Sequence, residues 1–302
     1  MSRGSKLLKR ELVVLAREGK GSFKTVSDRS KIAARLSHRL LDLNVQIRSA
    51  QQIKVRHVEL YIESRKAEGI SDRTLQNEMA AIRTMLYQSG KTKMADPNHE
   101  RLSNKSLGIS GASRMGTKLS ISDERFREAL ALIKAKDEGV AAVMQLSRYL
   151  GLRNEEAVQA VKSIRTWKQA VLRGDDRVRV IFGTKGGRAR DTRVVDKDKV
   201  LSAINNAILC AEKNNGKLID KPSLQQALDY YINVMRRTGG LKYENSNHSL
   251  RYAYAQDAEK YYLQKGFSQK EASALTSIDL GHGDGRGDYI KRVYSQKGEV
   301  EE

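Results

Sequence analysis

Apolar residues recur at three- and four-residue spacing along most of the chain. In residues 28–44, Ile32, Leu36, Leu40 and Leu43 share one helical face, with Asp28 placed as an N-cap. A second helix is expected near 55–68, with Val58, Tyr61 and Ile62 inward and Gly69 closing it. Ser71 opens a third, in which Leu75, Met79, Ile82 and Leu86 form one stripe ending at Gly90. Upstream, Leu7, Leu8, Leu12 and Leu15 give the first 20 residues the form of a single amphipathic helix. Short connections between such helices predict a small antiparallel bundle. Lys66, Arg73 and Arg83 project away from the stripes and are candidates to meet phosphates.

The periodicity lapses over 91–118, where Gly, Ser and Asn gather with one of the chain's two prolines. Residues 96–118 therefore read as a linker between an N-terminal domain, 1–95, and a C-terminal one, 119–302. From Ser122 the helical pattern returns through Phe126, Leu130 and Ile133, then Val140, Val143, Met144 and Leu150. Only 177–195 alternates apolar with polar: RVRVIF and TRVV flank the Gly-rich GTKGGRAR. That predicts a hairpin or a three-stranded meander. Helices are expected again at about 197–214, 223–238, 248–264 and 268–278. The fold class is mainly α, with one small antiparallel β-sheet in the second domain.

Composition narrows the classes. The 302 residues are 39% hydrophobic, enough for a real core. No apolar run approaches the ~20 residues that span a bilayer. Charges interrupt the N-terminal stretch MSRGSKLLKRELVVLAREGKG, unlike a secretory signal. The single cysteine, Cys210, excludes an internal disulfide and offers no metal cluster; within AINNAILCAEK it reads as a buried structural thiol. A cytoplasmic protein with no membrane partner is expected. The net charge of +20 points instead to a polyanion, usually nucleic acid. Residues 1–115 hold 23 Lys and Arg against 11 Asp and Glu, the remainder 33 against 25, so the N-terminal third reads as the clamp. Charge separates neither DNA from RNA nor binding from catalysis.

Chemistry concentrates in four short contexts of the C-terminal half. Arg153 lies in GLRNEE, Lys185 in FGTKGGRAR, His248 and Arg251 in NHSLRYAYA, and His282 in DLGHGDGRG. Each has an ordinary structural alternative: an i, i+3 ion pair of Arg153 with Glu156, an exposed turn lysine, a helix-capping histidine, a turn histidine. Read for function, a planar guanidinium fits two phosphate oxygens. His248 and Arg251 share one face at a helix start, where free N–H groups favour an anion. Arg188 and Arg190 compete with Lys185 for its role.

Taken in order, these contexts resemble the active-site signature of the tyrosine recombinases, the phage-integrase family. The run HVELYIESRKAEGISDRTLQNEMAAIRTMLYQSG also resembles that family's core-binding domain, a SAM-like helical bundle. The resemblance implies a helical catalytic domain that cuts and rejoins DNA through a 3′-phosphotyrosyl intermediate. In it Arg153 and Arg251 grip the phosphate, with Glu156 behind Arg153. His248 serves as acid–base or hydrogen-bonding partner, His282 donates to a nonbridging oxygen, and Lys185 protonates the leaving 5′ oxygen. YIKRVYSQK resembles the helix-borne nucleophile and selects Tyr294, with Tyr289 left open as the alternative. The extra residues before Tyr294 would lie in GDGRGD, where insertion costs little.

No carboxylate cluster for Mg²⁺ is evident, and GTKGGRAR lacks the GK[ST] ending of a phosphate-binding loop, so neither metal nor cofactor is expected. The implied partners are double-stranded DNA with inverted half-sites, three further copies of the chain in a homotetramer, and DNA-bending accessory proteins. Integration or excision of a phage or mobile element is the expected role. A type IB topoisomerase-like activity and a non-catalytic DNA-binding protein of the same fold are the alternatives.

Overall fold

The structure, a computed structural model, describes residues 3–113, 115–116 and 118–294. It divides into two compact units, Met1–Ser113 and Arg114–Glu302.

The first unit is built from α1 (Arg3–Glu18), α2 (Phe23–Asp42), α3 (Val55–Ala67), α4 (Asp72–Gln88) and the short α5 (Thr92–Ala95). Leu8, Leu12, Leu36, Leu40, Val58, Ile62, Leu75, Met79 and Ile82 fill its core. Helix α2 starts earlier than its apolar stripe suggests. The Ser22 hydroxyl accepts the Thr25 N–H at 3.2 Å, so Ser22 is the N-cap and Asp28 falls inside the helix.

The segment expected as a linker is, through Ser113, part of this unit. Leu102 and Ile109 are fully buried in its core. Three side chains that were candidates to meet phosphates donate to it. Arg83 donates to the Leu102 carbonyl at 2.8 Å and to Asn104 Oδ1 at 2.9 Å. Arg73 donates to the Ser113 carbonyl at 3.1 Å, and Lys66 to the Leu107 and Gly108 carbonyls at 3.3 and 3.4 Å. A strap without regular structure leaves carbonyls that need donors, and these helix faces supply them.

The second unit is mostly helical: α6 (Asp123–Lys136), α7 (Glu138–Leu150), α8 (Asn154–Val158), α9 (Ile164–Arg173), α10 (Lys197–Lys213), α11 (Leu224–Arg237), α12 (His248–Gln264), α13 (Gln269–Asp279) and α14 (Gly287–Val293). Val140, Val143, Met144, Leu150, Ile204 and Met235 centre its core, and Cys210 is buried beside them. Among the described residues the sheet has two antiparallel strands, β1 (Arg177–Val180) and β2 (Arg190–Arg193), with Val180 opposite Arg190 and Arg177 opposite Arg193. Strand β2 begins two residues before the apolar run TRVV, and its inward positions are Arg190 and Thr192. No helix among the described residues is long and apolar enough to cross a membrane.

Candidate active site

Helix α7 ends at Gly151, whose left-handed φ of 57° turns the chain sharply and frees its carbonyl. A Cβ at this position would run into the Tyr254 ring, so two constraints select glycine. That carbonyl accepts Arg251 Nη1, and also Arg190 Nη2 at 3.1 Å. The Leu280 carbonyl, just past α13, accepts Arg251 Nη2, and Arg153 Nη2 at 3.3 Å. Glu156 completes the frame, reaching Arg153 Nη1 at 2.7 Å and Arg190 Nη2 at 2.8 Å. Burial by itself would raise this carboxyl, but Arg190 foremost, then Arg251 and the Arg153 amide, bring it down to about 2. Three guanidinium groups are thus fixed by one carboxylate and a few backbone oxygens.

Arg251 is 1% exposed, and burial lowers its guanidinium to about 10, still cationic at neutral pH. Its Nε lies 3.4 Å from the Tyr294 hydroxyl, which stands 3.1 Å from His282 Nε2. The His248 ring sits 6.1 Å from that of Tyr294, and the residue is exposed. Crowding by protein atoms, then Arg251, Arg153 and Lys118, push His248 down to about 4. The same order of causes, burial and then Arg251, Arg153 and Arg190, takes His282 to about 3. Both imidazoles are therefore neutral at pH 7.

Arg153, His248, Arg251, His282 and Tyr294 converge. Tyr289 packs its ring 4.9 Å from that of His282, with no hydrogen bond to the cluster among the described residues. The turn 281–286 absorbs the long spacing to Tyr294: Gly281, Gly283 and Gly285 all have positive φ. Lys185 lies at the exposed tip between the strands and makes no contact with the cluster among the described residues. Arg190, weighed as an alternative to Lys185, is excluded from that role by geometry: it is buried and paired with Glu156.

Sequence reasoning missed the buried partners of this frame, above all Arg190 in its structural role and Asp279. The parity of RDTR carried the signal, since Arg190 must share a face with Thr192. It also missed a groove of about 640 Å³ beside His248, lined by Lys118, Asn154, Arg236, Arg237, Lys242 and Asn247 among others. Among the described residues, no group of three His, Cys, Asp or Glu side chains is arranged to hold a metal ion.

Two family models match the chain: "Phage integrase, N-terminal" over residues 5–95 and "Integrase" over 108–257. No curated protein matches. Among solved structures, a lambda integrase tetramer bound to a Holliday junction is 16% identical, with a TM-score of 0.59, covering 98% of this chain and 79% of that one. The XerH recombinase in its post-cleavage complex with palindromic difH is 14% identical, with a TM-score of 0.61, covering 98% and 83%. The Tn1549 transposon integrase with transposon right-end DNA is 11% identical, with a TM-score of 0.54, covering 97% and 96%. At these identities the structures establish a shared fold.

Proposed function

The chain belongs to the phage-integrase family of tyrosine recombinases and is a site-specific DNA recombinase; we propose that it works through a 3′-phosphotyrosyl ester on Tyr294. The observation that carries this reading is the Tyr294 hydroxyl lying between His282 Nε2 and Arg251 Nε, within the arginine frame. A phenol is a weak nucleophile until it is aligned with the phosphate and relieved of its proton. A neutral His282 can accept that proton through Nε2 as the phenolic oxygen bonds to phosphorus. Arg153 and Arg251, with His248, stabilise the charge gathering on the nonbridging oxygens, in the manner of preorganised oxyanion donors. The P–O5′ bond breaks, and the departing oxygen takes a proton from Lys185, whose long side chain extends from the hairpin tip. The ester retains the bond energy, so attack by another strand's 5′ hydroxyl reverses every step.

The first unit acts as the core-binding domain and the second as the catalytic one. Lambda integrase was solved as a tetramer on a Holliday junction. By analogy, four copies of this chain assemble on inverted half-sites to integrate or excise a phage or mobile element. The test uses a nicked duplex carrying a site that the wild-type protein itself selects from a randomised pool by covalent capture. Adduct formation is expected in the wild type and in Tyr289→Phe, and not in Tyr294→Phe. Adduct lost only in Tyr289→Phe reverses the choice of nucleophile, and a wild type that forms none removes the reading. Joining of two such sites then separates recombination from simple relaxation.

A further inference from the structure

Arg177 and Arg193 face each other across the two-stranded ladder. Like charges directly opposite destabilise a strand pair unless something neutralises them. Here the neutralising groups are two aspartates. Asp176 pairs with Arg193 near the surface, and Asp279, fully buried at the last position of α13, pairs with Arg177 at 2.8 Å. The Tyr262 hydroxyl ties both sides together. It donates to Asp279 Oδ2 at 2.6 Å and accepts from Arg177 Nη2 at 3.0 Å and Arg193 Nε at 3.2 Å. The carboxylate is held at Oδ2 by the Tyr262 hydrogen bond and at Oδ1 by the charge of Arg177 alone, since that oxygen has no hydrogen bond among the described residues.

Nothing in the proposed chemistry uses the Asp279 side chain, yet its main chain lies where the chemistry is held. The Asp279 carbonyl accepts from Arg190, and the next carbonyl, Leu280, accepts from both Arg153 and Arg251. His282 follows two residues later, its N–H bonded to the Ser277 carbonyl at 2.9 Å. One peptide segment thus joins a charged knot on the sheet side to the phosphate-gripping frame on the other.

We propose that Asp279 is a positioning residue: by anchoring α13 to Arg177 and Tyr262, it sets the Leu280 carbonyl that aims Arg153 and Arg251 at the scissile phosphate, and its own carbonyl that holds Arg190 beside them. This rests on the recombinase reading above. The side chain touches neither DNA nor the nucleophile; it acts through the arginines. Burial carries its carboxyl up to about 6 despite Tyr262, Arg177, Arg193 and Arg190, so its charge is held there at a cost.

Asp279→Asn keeps the shape and the Tyr262 bond but removes the charge. With the self-selected nicked duplex at saturating protein, single-turnover adduct formation is expected to fall about 10- to 100-fold, as for a misaimed charge-stabilising donor. DNA affinity by gel shift is expected to stay within about twofold, since no phosphate contact is lost. The discriminating arm replaces one nonbridging oxygen of the scissile phosphate with methyl, removing the charge that the guanidinium groups neutralise. On this neutral substrate the ratio of wild-type to Asp279→Asn rates is expected to collapse toward one. Tyr262→Phe, which removes one hydroxyl from the knot, is the second variant and is expected to show the same pattern more weakly.

Equal cleavage by wild type and both variants overturns the proposal. So does a rate ratio that persists on the methylated substrate, or a defect matched by lost DNA binding, either of which marks a merely structural role. If Asp279→Asn does not fold, Tyr262→Phe decides the question on the same criteria. Absence of any wild-type adduct instead removes the recombinase reading, and the proposal with it.

Discussion

Arg251 meets the Gly151 carbonyl, the Leu280 carbonyl and the Tyr294 hydroxyl through three different nitrogens. No single ammonium can span those three directions, so Arg251→Lys keeps the charge and loses the geometry. Adduct formation by this variant is expected to fall about 100- to 1,000-fold in single-turnover assays, with duplex affinity changed far less. Residues of this kind were legible in the sequence because each sits in a short context with its own chemistry. Arg251 stands one turn from His248, and His282 stands between glycines. Arg190 and Asp279 were not legible as parts of the frame. Arg190 depends on carbonyls distant in sequence, at 151 and 279, and Asp279 on the side chains of Arg177 and Tyr262, which no local pattern announces. Tyr294 is an intermediate case: the local run selected it, but only the turn through Gly281 explains how it reaches His282. A Cβ at Gly281 would press on the Arg190 side chain, 2.5 Å from Cδ.

At the scale of elements, the apolar stripes located most helices of both units, because burial on one face imposes the 3.6-residue period, but α9 was not among the expected helices. The strap over residues 96–113 escaped that logic. Its apolar anchors, Leu102 and Ile109, are too few and too irregular to register as a pattern, and its Gly and Ser content mimics a linker. Arg83 exposes the difference physically. Its guanidinium is half-buried and turned onto Leu102 and Asn104, so it is a fastening for the strap rather than a phosphate contact. Arg83→Met is expected to destabilise the protein by about 1–3 kcal/mol in urea unfolding, because carbonyls under the strap lose their donor. The slope of log affinity for DNA against log salt is expected to stay unchanged. A slope reduced by about one would instead make Arg83 a phosphate contact.

Over the whole molecule, positive charge is the dominant property, and the groove beside His248 shows where part of it gathers. Single substitutions of Arg236, Arg237 or Lys242 by Gln are expected to weaken binding to all sequences alike, reducing the salt slope by about one each where a phosphate is met. The same excess of charge at the site makes the second unit sensitive to acid. His248 and His282 are held near 4 and 3 in the fold, against 6.5 for a free imidazole. As pH falls from 7, the unfolded chain therefore takes up protons that the folded one refuses, and stability drops. Asp279 works the other way: raised to about 6 from 3.8, it binds a proton earlier in the fold than out of it. Two imidazoles against one carboxyl leave a net loss of stability from these groups between about pH 6.5 and 4, and below that Glu156, held at about 2, adds to it. Thermal unfolding at pH 7 and pH 5 is expected to give a lower midpoint at pH 5, with a smaller difference in His282→Gln. A bound phosphodiester brings the anion that these imidazoles lack, so duplex DNA is expected to narrow the gap further by drawing their pKa values upward. A gap that widens with DNA would mean that the histidines do not face the phosphate.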